Sequence, residues 1–150
     1  MNVEPMGSQS VKVFFVLEQN EGYPPVGTEG LWATITPDGF YELDNIPFYA
    51  QEVSYKDVIQ AMPDVDNALY FKQVIRRSGH STVRVIVFDL NERDNLKRSL
   101  EELGCSWEGG SEPSLIAVDI PKNVNVSSVL MFLHNGFNQG CWDYEESCIP

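Results

Sequence analysis

Positive charge is scarce in this chain. Its 150 residues carry 10 lysines and arginines against 22 aspartates and glutamates, a formal net charge of −12. A protein so charged repels nucleic acid and anionic membrane. Cysteine is scarce as well: Cys105, Cys141 and Cys148 form an odd count with no CxxC pair, which suits reduced thiols better than a disulfide framework or a zinc site. His134, Cys141 and Cys148 match no structural zinc spacing, so core thiols are expected and neither metal nor cofactor is. No apolar run approaches the roughly 20 residues that span a bilayer. The opening MNVEPMGSQS lacks the basic and apolar regions of a secretory leader, so a soluble cytoplasmic protein is expected. A nucleotide-binding glycine loop and a catalytic triad are also missing from the sequence.

What is there is a folding composition. Hydrophobic residues make up 43% and aromatics 11% of the chain, enough to bury a core within one compact unit over residues 1–150. The charge is unevenly spread. Residues 1–70 hold 2 basic and 11 acidic groups, residues 71–98 hold 7 and 3, and residues 99–150 hold 1 and 8.

That basic island centres on residues 70–89, YFKQVIRRSGHSTVRVIVFD, where two β-branched and aromatic runs flank Arg77-Ser78-Gly79-His80. A glycine among small polar residues supplies the positive φ of a tight connection, so a hairpin is expected. Its tip would gather Arg76, Arg77, His80 and Arg84. Two readings of the tip stand: an anion site built from arginine forks and backbone amides, or arginines that pair internally with the abundant carboxylates.

Before the island, residues 1–10 read as a loose arm and VKVFFVLEQ as a first strand. Residues 20–30, NEGYPPVGTEG, form a long loop broken by proline and glycine. LWATIT and FYELDNI flank the Pro37-Asp38-Gly39 turn of a hairpin. Residues 53–62 alternate as another strand, and 63–67 turn the chain. The half from 11 to 80 is therefore all-β, a small antiparallel half-barrel or curled sheet.

Beyond the island the period changes. Asn91 starts a helix with Leu96, Leu100 and Leu103 on one face and Gly104 as its stop. Residues 105–108 and 115–120 read as strands. A second helix runs from near Asn125 to Gly140 on the stripe Val126, Val129, Leu130, Leu133 and Phe137, and CWDYEE closes as a last strand. The half from 81 to 150 thus has the order of a ferredoxin-like βαββαβ unit, and the fold class is α+β with the N-terminal half packed on it. Val85 and Val87 face one way and Ile86 and Phe88 the other, so both faces of this strand are expected to be apolar.

The C-terminal strand also presents Trp142 and Tyr144 alternating with Asp143, Glu145 and Glu146, an acidic and aromatic edge suited to a basic partner. The loop offers Glu21, Tyr23 and Glu29 in the same style. The opposing reading is an edge strand kept soluble by its charges. Reversing Glu145 and Glu146 together to lysine is expected to leave the thermal midpoint nearly unchanged while slowing association.

GYPPVGTEGLWA (22–33), LDNIPFYA (43–50), RRSGHST (76–82), LGCSWEG (103–109) and WDYEESC (142–148) span nearly the whole chain. On these segments the chain resembles an uncharacterised bacterial family, a domain of unknown function found in short acidic proteins. Proteins of this size and charge look like immunity proteins that neutralise bacterial toxins. The expectation is a non-enzymatic binding protein, monomeric when free, that caps a basic toxin domain such as a nuclease without touching nucleic acid itself. The alternative is a small-ligand or enzymatic module that uses Arg76, Arg77, His80 and Arg84 as its anion site.

Overall fold

A computed structural model describes residues 9–150. The chain is α+β and divides into two compact units between Ser78 and Gly79. The loose arm expected for residues 1–10 lies outside the described residues except at its end, where Ser10 already opens the first strand.

In the first unit, β1 (Ser10–Val16), β2 (Thr28–Ile35), β3 (Tyr41–Leu43), β4 (Val58–Pro63) and β5 (Leu69–Arg76) follow one another around a closed barrel. Parallel pairing of β1 with β5 shuts it, so the expected half-barrel or curled sheet is a complete one. Period-two alternation fills the interior with Val13, Phe15, Leu31, Ala33, Leu43, Ile59 and Ala61. Outward residues of the same strands pair across the surface: Lys12 lies opposite Trp32, its Nζ 5.1 Å from the ring centroid. The Pro37-Asp38-Gly39 hairpin is present, with Gly39 at φ 87°.

Residues 53–57 are not strand. Glu52 and Lys56 take positive φ values of 63° and 71°, and β4 begins only at Val58. The cause is Asp57, a buried carboxylate that the alternation pattern treats as one more polar position. Its oxygens accept the Ser54 and Ser78 amides at 3.0 and 2.8 Å, and a local carboxylate of this kind competes with the ladder for backbone donors.

The hairpin expected over residues 70–89 does not form either. β5 pairs with β4 and β1 in the barrel, whereas β6 (Ser81–Val87) pairs with strands of a different sheet. Gly79, at φ 92°, is the first residue of the second unit rather than the apex of a turn.

That unit continues with a 3-10 turn (Leu90–Glu92), α1 (Arg93–Glu102), β7 (Ser106–Gly109), β8 (Leu115–Ile120), α2 (Val126–Asn138) and β9 (Trp142–Cys148). The sheet order is β7-β8-β6-β9, with antiparallel neighbours throughout. Asp89, not Asn91, caps the first helical turn, accepting the Asn91 amide at 2.9 Å. Gly104 ends α1 at φ 95°, and Asn125 caps α2 through the Ser128 amide. Leu96 and Leu100 of α1 and Val129 and Leu133 of α2 pack on Val83, Val85, Ile116, Val118 and Ile120. The alternate side of β6 is not the apolar face expected. Thr82 and Arg84 are buried there, while Ile86 and Phe88 are exposed. Among the described residues no helix is long and apolar enough to cross a membrane.

Candidate functional site

The basic residues of the centre find separate partners. Arg76 reaches Asp38 at 3.0 Å. Arg77 donates to the Glu52 carbonyl at 2.6 Å and to Asp57 at 3.2 Å. The Ser78 amide, one of the donors an anion would need, is spent on Asp57 as well. In the second unit, His80 Nδ1 stands 2.7 Å from Asp119 on β8, and Arg84 Nε donates to Glu145 on β9 at 2.7 Å. The four residues are not gathered at a tip. Each is answered by a carboxylate of its own unit.

The Asp119 carboxyl is perturbed by its surroundings. Burial pushes its pKa above the ordinary range, against the hydrogen bond and charge of His80, which draw it back. Cys105 lies in the same core. Burial, aided by the Asp119 charge, pushes its thiol up to about 11, so it is a packing group rather than a thiolate nucleophile. All three cysteines are free.

The acidic and aromatic edge on β9 is divided in its duties. Trp142 is not a surface anchor: it is 5% exposed, its Nε1 donates to the Leu133 carbonyl at 2.9 Å, and its ring lies against Gly136. An indole loses more water-exposed apolar area by packing on α2 than an edge strand offers it outside. Glu145 is tied to Arg84. Asp143 and Glu146 are exposed and Tyr144 is half-buried, its ring edge-on to Phe137 at 6.5 Å.

The loop between β1 and β2 holds the better-formed feature. Glu29 is not a surface acid, because its buried carboxylate accepts the amides of Phe48, Tyr49 and Ala50 at 2.7, 3.0 and 2.8 Å. Three backbone donors on one carboxylate make a rigid latch. The latch fixes residues 48–50 beside the loop, which is itself closed by reciprocal bonds between Asn20 and Tyr23 and by Gln19 to the Pro24 carbonyl. Tyr23 meets Tyr49 edge-on at 6.1 Å. Between these segments and the barrel wall lies a cavity of about 250 Å³, lined by Phe15, Leu17, Glu18, Pro24, Tyr49 and Phe71 among others. Phe15 and Phe71 stack at 4.7 Å on one side of it. Glu21 and Tyr23 are exposed on the loop.

Of the expected binding residues, then, Glu21, Tyr23, Asp143 and Glu146 are exposed and Tyr144 partly so, whereas Trp142, Glu29 and Glu145 are engaged in the fold. Glu18, Tyr49 and Phe71 are additions: Phe71 on β5 reads as core, while Glu18 and Tyr49 lie outside the strands, where no periodicity marks them. For Tyr49 a signal does exist: GYPPVGTEGLWA and LDNIPFYA, the first two fingerprint segments, are the ones that Glu29 latches together.

These features define an α+β protein in which a closed barrel carries an aromatic cavity under a latched loop and a second unit stacks two helices on a four-stranded sheet. The model of the domain of unknown function DUF4265 matches residues 29–144, and the chain belongs to that family. No curated protein matches it. Among solved structures it is similar to a hypothetical protein from Neisseria gonorrhoeae, with a TM-score of 0.82 at 24% identity, covering 94% of this chain and 96% of that one. At that identity the likeness shows the fold alone.

Proposed function

We propose that the chain is a non-enzymatic binding protein for a basic protein partner, in the manner of an immunity protein capping a toxin domain. One observation carries the reading. Arg76, Arg77 and Arg84 are each paired with a carboxylate inside the molecule, and with 22 acids against 10 cations the chain keeps a net negative charge, carried in part by exposed acids such as Glu21, Asp143 and Glu146. Such a surface attracts basic partners and speeds their encounter. The same pairs weaken the rival anion-site reading, because the donors it needs are committed to Asp38, Asp57 and Glu145. A cytoplasmic, monomeric protein suits this role. The strand order β7-β8-β6-β9, with a helix after β6 and another after β8, supports a ferredoxin-like reading of the second unit.

Affinity capture from extracts of the native host tests the proposal, run at low and high salt with the wild type and with a Glu21→Lys, Glu146→Lys double variant. A basic protein held at low salt, released at high salt and lost on the variant is the expected result. Capture of a partner without cationic excess, or capture indifferent to both salt and variant, would sink it.

A further inference from the structure

We infer that the barrel cavity receives a cationic side chain of the partner, an arginine or lysine whose stem lies along the aromatic wall and whose head meets Glu18. This rests on the reading that the partner is basic, and it deepens that reading to a particular pocket.

Size comes first. At about 250 Å³ the cavity falls below the roughly 300–1,000 Å³ of pockets that enclose drug-sized ligands, which leaves room for one long side chain. The walls are part polar and part apolar: Phe15, Tyr49 and Phe71 supply rings and Pro24 a flat edge, beside Glu18 and Gln51. A methylene stem is well matched to the rings, while the charged end of arginine or lysine seeks a polar exit. Ring faces attract cations, guanidinium in particular.

Charge selects between a cation and a neutral apolar group. Glu18 is exposed and is the one charged residue of the lining. The two segments that frame the cavity, residues 17–29 and 47–52, include Glu18, Glu21, Glu29 and Glu52 and no lysine or arginine. Glu29 is already committed to its three amides, whereas Glu18 is an exposed residue of the lining. Nearby cations have other work: Lys12 lies over Trp32, and Arg77 bonds the Glu52 carbonyl and Asp57. Lys72 follows Phe71 on β5 and so points to the opposite side of the strand. The latch through Glu29 means the walls stand in place before anything binds, which lowers the ordering cost of occupancy.

The test is an amide-resolved NMR titration of the full chain with Nα-acetyl-arginine amide and Nα-acetyl-lysine amide. Their neutral counterparts, the citrulline and norleucine amides, serve as controls. The cationic probes are expected to shift the amides of Tyr49, Ala50, Gln51 and Phe71 saturably and to bind roughly threefold or more tighter than the neutral ones. Glu18→Gln, a change at an exposed site that keeps the fold, should reduce the cations to the level of the neutral probes. Equal binding by neutral probes, indifference to Glu18→Gln, or shifts located away from the cavity would each overturn the inference. If the probes bind as expected and no basic protein is captured, the pocket stands and the partner reading fails. If a basic protein is captured and the probes do not bind, the pocket alone is wrong.

Discussion

At the level of single residues, Glu145 and Glu146 separate charges that hold the fold from charges that face solvent. Both are exposed, but Glu145 accepts from Arg84, whose side chain is only 2% exposed. Reversing them as a pair is therefore not the silent change their place on an edge strand suggests. Glu145→Lys alone sets an ammonium against a buried guanidinium and should lower stability by about 1–3 kcal/mol. Glu146→Lys should stay within about 0.5 kcal/mol of wild type. Thermal melts of the two single variants decide it, and equal midpoints would show that Arg84 does not depend on Glu145. The His80–Asp119 pair gives a second test. Because burial raises the Asp119 pKa, its contribution to stability is complete below the ordinary carboxylate value and is lost as pH rises through the raised one. His80 favours the charged form, so His80→Ala should cost more stability near pH 7 than near pH 3, which lies below even the ordinary carboxylate value. Urea denaturation of wild type and variant at both pH values measures the difference, and a pH-independent cost would remove the electrostatic account.

Among elements, α2 and β9 pack closely where Trp142 meets the helix, beside the Phe137–Tyr144 contact. The Trp142 indole fills the space that a side chain on Gly136 would need. Gly136→Ala therefore sets two effects against each other: alanine gains about 0.5–1 kcal/mol of helix propensity, while overpacking costs roughly 1–3 kcal/mol. The overlap is with ring atoms held by the Nε1 bond to Leu133 and not with a flexible tip, so the cost wins. Chemical denaturation should show a net loss, and a stabilised variant would mean that β9 shifts freely on α2. The helices are legible in the sequence because their apolar stripes repeat at 3.6 residues and Gly104 and Asn125 mark their ends. Strand pairing is less legible. The residues of β5 and β6 read locally as the two arms of a hairpin, yet β5 closes a barrel with β1, some 55 residues upstream. Loop chemistry is hidden for a similar reason. Glu29 and Asp57 look like surface acids, and only partners about 20 residues away, Phe48 to Ala50 and Ser78, show them to be buried acceptors. Trp142 hides in the opposite way, since alternation with acids makes a core indole look like a surface anchor.

For the whole molecule, the quantity that matters is the charge of −12. Ion pairs absorb Arg76, Arg77, Arg84 and Lys56, and Lys12 and Lys97 lie over Trp32 and Trp107. Six of the 10 cations are thus engaged locally, and the excess acids set the long-range field. Attraction between opposite net charges acts before contact and appears in the association rate, whereas short contacts formed after docking govern dissociation. Salt separates the two, because the screening length falls from about 10 Å at 0.1 M to about 3 Å at 1 M ionic strength. For a basic partner, the association rate constant should drop by one to three powers of ten from low to high salt, from as much as about 10⁸ M⁻¹s⁻¹ toward about 10⁵–10⁶ M⁻¹s⁻¹. The dissociation rate should change far less. Stopped-flow mixing across a salt series measures both. An association rate that ignores salt would place the recognition in apolar contact alone, and the acidic surface would then be a matter of solubility.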